Sequence, residues 1–466
     1  MQATDISNIQ GVNNAATFNS GRKIIKTDPY RSIKTGIWVY FILLVFEGGL
    51  RKWILPGLSS PLLLIRDPVA LWLIIVSWKR GILVFNSYIY ITCIISVIAL
   101  ITAIFFGHGS LLVAIYGIRT LLLHFVLIFV IGAVFNRDDV LKIGKFVLLV
   151  SIPMTILVIL QFYSPQSAWV NRGVGGDIAG GGFEGALGFF RPPGTFSFTN
   201  GIALYYSLLA CFVFYFWVNK SKYISRALLI ASSVALLMSI PLSISRTLVF
   251  SIAVIFAFMI MAILKQRNSI KQILIIIVGL LGTVIILSQL SIFKTATGAL
   301  TTRFSNASTA EGGLQGTLGD RYLGGLLGAI VNSDQLPFFG YGVGMGTNVG
   351  STLLTGRNQF LIAEGEWGRL VGELGIVMGL IIIIIRLAIT FKLFLASYRF
   401  LSVDFLPWLL VGYCVITVPQ AQWAQPTALG FSVFVAGITI AALRIPAKSV
   451  KSAIDPIDTI TSVDIA

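Results

Sequence analysis

Apolar runs long enough to cross a lipid bilayer recur along nearly the whole chain, and they limit its fold more than any other feature. A hydrocarbon core about 30 Å thick is crossed by about 20 helical residues. A helix satisfies every backbone N–H and C=O within one such segment, so the runs are predicted to be helices. Spans are expected near 36–50, 61–78, 87–106, 111–134, 146–163, 195–217, 227–244, 247–264, 272–290, 372–391, 405–419 and 428–443. Only 11% of the 466 residues are charged and 56% are hydrophobic, against about 25% charged in a soluble domain. A soluble surface is excluded. The expected class is an all-α, polytopic membrane protein of about a dozen spans.

The net charge of +16 does not point to nucleic acid, because the basic residues are scattered through short loops and form no patch or arm. They set topology instead, since short basic loops stay in the cytoplasm. With the N-terminus inside, every predicted inside segment is basic, from Lys79 and Arg80 to Arg444, Lys448 and Lys451. Tails 1–34 and 446–466 are then cytoplasmic, flanking a membrane domain over 35–445. Residues 1–34 lack the features of a cleaved signal peptide, so the first span is expected to direct insertion. The outer face carries a Gly-rich loop at about 164–194 and a long one at about 291–371, in which 318–331 is a candidate helix. Loops of that length are commonly functional, which puts the working face outside. No repeat relates the two halves of the chain, which argues against a repeat-built transporter.

Cys93, Cys211 and Cys414 lie in apolar runs and read as core residues, and His108 and His124 are the only histidines; neither a metal site nor a disulfide is expected. The outward basic residues are mainly arginines: Arg172, Arg191, Arg246, Arg303, Arg321, Arg357 and Arg369. A planar guanidinium grips phosphate with two parallel hydrogen bonds and stays charged when half-buried. Singly, each could instead snorkel to headgroups. Arg246 interrupts two apolar runs in IPLSISRTLVF, and Arg191 in FFRPPGTFSFTNG is fixed at the surface by Pro192 and Pro193. In AEGEWGRLVGELG, Glu364 or Glu366 could act as a general base, or serve as an Arg-paired structural carboxylate. Glu47, Arg51, Arg66 and Asp67 in the first spans are expected to pair structurally, and Arg119 and Arg386 within spans to pair internally or to snorkel. GYGVGMG at 340–346 lacks the strand, helix and Lys-Ser/Thr of a phosphate loop and reads as a turn that allows close backbone approach.

Over about residues 40–390 the sequence resembles the O-antigen polymerase and O-antigen ligase superfamily of bacterial membrane glycosyltransferases. RPPGTFSFTNGIALY, SISRTLVF, DRYLGGLLGAIVNSDQLPFFGYGVG and EGEWGRLVGELGIVMGL carry the resemblance, with EGGLRKWILP and RDP near the start. It implies a GT-C-like fold in the bacterial inner membrane, a metal- and cofactor-independent inverting transfer, and an undecaprenyl-diphosphate-linked oligosaccharide as substrate. Arg191, Arg246 and Arg321 would hold the lipid pyrophosphate, and Arg369 is grouped with them. A chain-length regulator is the implied partner beside the lipid bilayer itself. Ligases of the group place a His nine residues before the position of Glu373, where this chain has Glu364. A polymerase of O-antigen or exopolysaccharide repeat units is therefore favoured over a ligase, with Glu364 as first candidate for the base and Glu366 as second. A flippase of lipid-linked saccharide is the alternative of another class.

Overall fold

The computed structural model describes residues 28–219, 224–265, 285–311, 336–357 and 359–444, with single positions at 282, 328 and 331. Most of the expected span at 272–290, most of the candidate helix at 318–331, Arg321, and the tails 1–27 and 445–466 lie outside the described residues.

The described chain is dominated by helices. Eight helical stretches are long and apolar enough to cross a membrane: Arg31–Ile54, Pro56–Lys79, Ser87–Phe105, Leu111–Val134, Arg137–Tyr163, Asn200–Val218, Arg246–Lys265 and Glu366–Phe400. Three further apolar helices, Arg226–Leu242, Leu406–Thr417 and Pro426–Ala442, are shorter. Eleven of the dozen predicted segments thus coincide with an apolar helix, and eight of these have the length of a span.

Within these stretches the helices are α1 (Arg31–Gly49), α2 (Ser59–Leu62), α3 (Arg66–Lys79), α4 (Ser87–Phe105), α5 (Leu111–Ile118), α6 (Leu127–Val134), α7 (Arg137–Tyr163) and α8 (Asn200–Val218). They continue as α9 (Arg226–Leu242), α10 (Arg246–Lys265), α11 (Ser291–Glu311), α12 (Asn348–Thr355), α13 (Glu366–Phe400), α14 (Leu406–Thr417) and α15 (Pro426–Ala442). A π-helical turn at Leu50–Ile54 extends α1 and another at Arg119–Leu123 follows α5. Such turns are rare and frequent at functional sites, and these two carry Arg51 and Arg119. Helices α8, α14 and α15 are buried on almost every face and form the centre of the bundle. Their apolar residues run all round the helix, as a helix without a solvent face requires.

The two ends of the bundle differ in chemistry. At one end Lys34 bridges Asp28 (2.7 Å) and Asp139 (2.8 Å), Arg137 pairs with Asp404, and Arg80 bonds the Pro29 carbonyl. These are the segments predicted to share the basic side. At the other end the Gly-rich loop folds through its own hydrogen bonds, with Asn171 Nδ2 donating to the carbonyls of Gln161, Ser164 and Pro165. It closes with a hairpin, β1 (Phe183–Ala186) paired antiparallel to β2 (Phe189–Arg191). Leu187 and Gly188 form its turn, both at positive φ, as the right-handed twist of a two-residue hairpin demands.

Candidate functional site

Arg191 ends β2 and is where the hairpin presents its charge to the bundle. Helix α11 packs on β1, and its Arg303 Nη1 reaches the Gly185 carbonyl at 3.4 Å. Arg246 opens α10 after a turn in which Ile244 adopts φ 45°, a conformation costly for a β-branched residue and one that persists where surrounding structure imposes it. The Ile244 side chain is buried beside Gly185, where an added Cβ would lie 2.7 Å from its Cδ1. The strained turn is thereby locked to the hairpin that carries Arg191.

Burial, and then the charges of Arg303 and Arg246, push the Arg191 guanidinium down to about 10. Neither Arg191 nor Arg303 has a carboxylate partner among the described residues, and Arg191 Nε is buried with no hydrogen-bond partner there. A base whose folded value is lowered destabilises the fold at any pH below that value, and the penalty is relieved as pH rises through it. A bound polyanion would relieve it at neutral pH.

The segment after Arg191 is tied to α1. Lys52, fully buried, donates from Nζ to the Gly194 carbonyl at 2.6 Å, and Arg51 Nη1 donates to Ser197 Oγ at 2.9 Å. Thr195 Oγ1 donates to the Val45 carbonyl at 2.6 Å. Gly48 permits this contact, since a Cβ there would sit 2.2 Å from the Ser197 nitrogen and 2.4 Å from the Phe196 carbonyl carbon. Two motifs that the resemblance singled out, EGGLRK and RPPGTFS, are therefore one structure.

The AEGEWGRLVGELG segment forms a second cluster. The buried carboxylate of Glu366 accepts from Arg369 Nε (3.0 Å) and Nη2 (2.6 Å), Arg386 Nη1 (2.8 Å) and the Trp423 N–H (3.0 Å). Glu373 accepts from Arg369 Nη1 at 2.6 Å and the Gly346 N–H at 2.9 Å. Arg386 also stacks on Trp423, its guanidinium carbon 3.7 Å from the ring centroid. Gly375, at φ 75° and ψ 168°, breaks α13 just past this cluster. There the Tyr341 and Gly342 N–H groups bond the carbonyls of Gly372 and Glu373 at 2.8 and 3.1 Å.

Glu364 differs from its neighbours. It is exposed at the mouth of a cleft shared with Asn348, Phe360, Gln422 and Gln425, and no side-chain partner holds its carboxylate among the described residues. A carboxylate carrying four donors is a weak proton acceptor, whereas one facing a cleft unencumbered can take a proton.

The intramembrane charges of the first spans are paired. Glu47 meets Arg66 at 3.0 Å and Arg51 at 3.5 Å, while Asp67 meets Arg119 and His124, whose Nδ1 lies 2.9 Å from the Tyr40 hydroxyl. Arg386 pairs with Glu366. Of the predicted phosphate-binding set, Arg191 and Arg246 come together, Arg369 is held by Glu366 and Glu373, and Arg321 lies outside the described residues. Arg303 was legible only as one of several outward arginines. Gln422 and Gln425 carried no sequence signal. Comparison with family models, curated proteins and solved structures finds no match for the chain.

Proposed function

We propose that this chain is a polymerase-type glycosyltransferase of the bacterial inner membrane that joins undecaprenyl-diphosphate-linked oligosaccharide repeat units on the periplasmic face. The observation that carries the reading is the buried Nε of Arg191, without a partner among the described residues, on a hairpin against which the elements bearing Arg303 and Arg246 pack, close enough for both charges to act on Arg191. A site of this kind favours a multiply charged anion over a single carboxylate. The saccharide and its lipid carrier come from the sequence resemblance.

In this reading the arginines hold the donor's diphosphate. Glu364 takes the proton of the acceptor hydroxyl as its oxygen attacks the anomeric carbon from the face opposite the diphosphate. The anomeric C–O bond breaks, its electron pair leaves with undecaprenyl diphosphate, and the configuration inverts. Arginines preorganised where that charge develops supply the main stabilisation. Glu366, Arg369, Glu373 and Arg386 form the buried support beneath the base.

The test is chain extension by purified protein on lipid-linked repeat units, with pyrophosphate binding measured in parallel. Arg191→Ala and Arg303→Ala should each lower extension by about 10² or more and weaken pyrophosphate binding. Arg→Lys should restore little, because an ammonium lacks the bidentate fork. Full activity in both Lys variants would overturn the pyrophosphate role.

A further inference from the structure

The cleft beside Glu364 is chemically unlike the arginine cluster. Among the described residues its one cationic side chain, Arg369, is neutralised by Glu366 and Glu373. What remains on its wall is a set of neutral amides, Asn348, Gln422 and Gln425, and the ring of Phe360, which is 54% exposed.

The amides are wired in one direction. Asn200 Nδ2 donates to Gln425 Oε1, Gln425 Nε2 donates to Gln422 Oε1 at 2.5 Å, and Gln422 Nε2 donates to the Glu364 carbonyl at 2.6 Å. Each glutamine nitrogen thereby uses one of its two N–H groups in fixing its own orientation and keeps the other. Asn200 Oδ1, at the root of the chain, is buried with no partner among the described residues. A row of oriented amides beside an exposed aromatic face, with no net positive charge, matches a polyhydroxylated ring: hydroxyls bond the amides and the apolar ring face lies on the phenyl. Phosphate would find no free cation here.

We propose that this cleft is the acceptor-saccharide subsite, in which Gln422 and Gln425 bind hydroxyls of the accepting sugar, Phe360 stacks on its ring, and the nucleophilic hydroxyl is placed at Glu364. The assignment rests on the glycosyltransferase reading. It separates the two halves of the reaction, with phosphate held at the hairpin and sugar at the amide row.

Full-length protein in nanodiscs is titrated with two probes: the host's repeat-unit oligosaccharide freed of its lipid carrier, and inorganic pyrophosphate. Gln422→Ala, Gln425→Ala and Phe360→Ala should each weaken oligosaccharide binding at least tenfold and leave pyrophosphate binding unchanged, while Arg191→Ala does the reverse. Phe360 is exposed, so its truncation does not threaten folding and keeps the test decisive if a glutamine variant is unstable. Oligosaccharide binding at wild-type strength in the Phe360 and glutamine variants, or none in the parent protein, overturns the subsite. Pyrophosphate binding indifferent to Arg191 overturns instead the glycosyltransferase reading on which the subsite depends.

Discussion

Glu364 and Glu366 stand two positions apart and face opposite conditions. Glu366 is sealed by two guanidinium groups and a backbone N–H, so its removal leaves Arg386 buried without its carboxylate and Arg369 with Glu373 alone, a change that typically destabilises by about 3–5 kcal/mol. Glu364 holds no partner with its carboxylate among the described residues. Glu364→Gln should therefore lower extension by about 10² or more with an unchanged melting temperature, whereas Glu366→Gln should lower melting temperature and activity together. Activity lost without loss of stability in the Glu366 variant would move the base to that residue. Sequence ranked Glu364 before Glu366 only through the resemblance, and it did not show their different surroundings, because what seals Glu366 includes Arg386, which is twenty positions away and returns to it across the break at Gly375.

At the scale of elements, the meeting of α1 with the segment after Arg191 depends on a missing side chain. Gly48→Ala adds one carbon against backbone, with Ser197 N at 2.2 Å, and overpacking of this kind costs about 1–3 kcal/mol or more. That segment must move, and it begins directly after Arg191. Extension activity and melting temperature should both fall in Gly48→Ala, although no charge or hydrogen bond is removed. Gly57→Ala is the matched control, since nothing lies within 4 Å of a Cβ there, and equal losses in both variants would show that the contact is not responsible. The helices themselves were legible from apolar run length and their ends from basic residues. The hairpin was not: PPG and the glycines before it mark a loop, but its pairing with α11, which brings Arg303 beside Arg191, is a contact between segments more than a hundred residues apart.

For the whole molecule, the sorting of contacts into two ends makes sidedness a single question. The end joining Lys34, Asp139, Arg137 and Asp404 must lie on one side of the membrane, and the hairpin, Glu364 and Gln422 on the other. The basic bias predicts that the first end is the cytoplasmic one. Reporter fusions after Lys79, Arg137 and Arg399 should report cytoplasm, and fusions at Gly176 and Gly356 periplasm. A cytoplasmic signal at Gly176 would place the arginine cluster on the wrong side for a periplasmic substrate. The tertiary pairing of charges within spans was legible as an expectation for Glu47, Arg66 and Asp67. Their partners across helices were not, because sequence spacing says nothing about which helices become neighbours.

The Asp67 cluster also constrains how the protein is born. Arg119 and His124 follow Asp67 by 52 and 57 residues, so at about 5–20 residues per second the ribosome supplies them several seconds later. Glu47 has Arg51 one turn away from the outset, but Asp67 enters the bilayer with its own answering cation still unmade. An acidic residue midway along an inserting segment, as Asp67 is in the stretch Pro56–Lys79, costs roughly 2.5–3.5 kcal/mol. The second membrane-length stretch, Pro56–Lys79, should then linger at the insertion machinery until the fourth, Leu111–Val134, arrives, and the two leave for the lipid as a pair. Nascent chains halted before Arg119 are the ones that quality control would find and destroy.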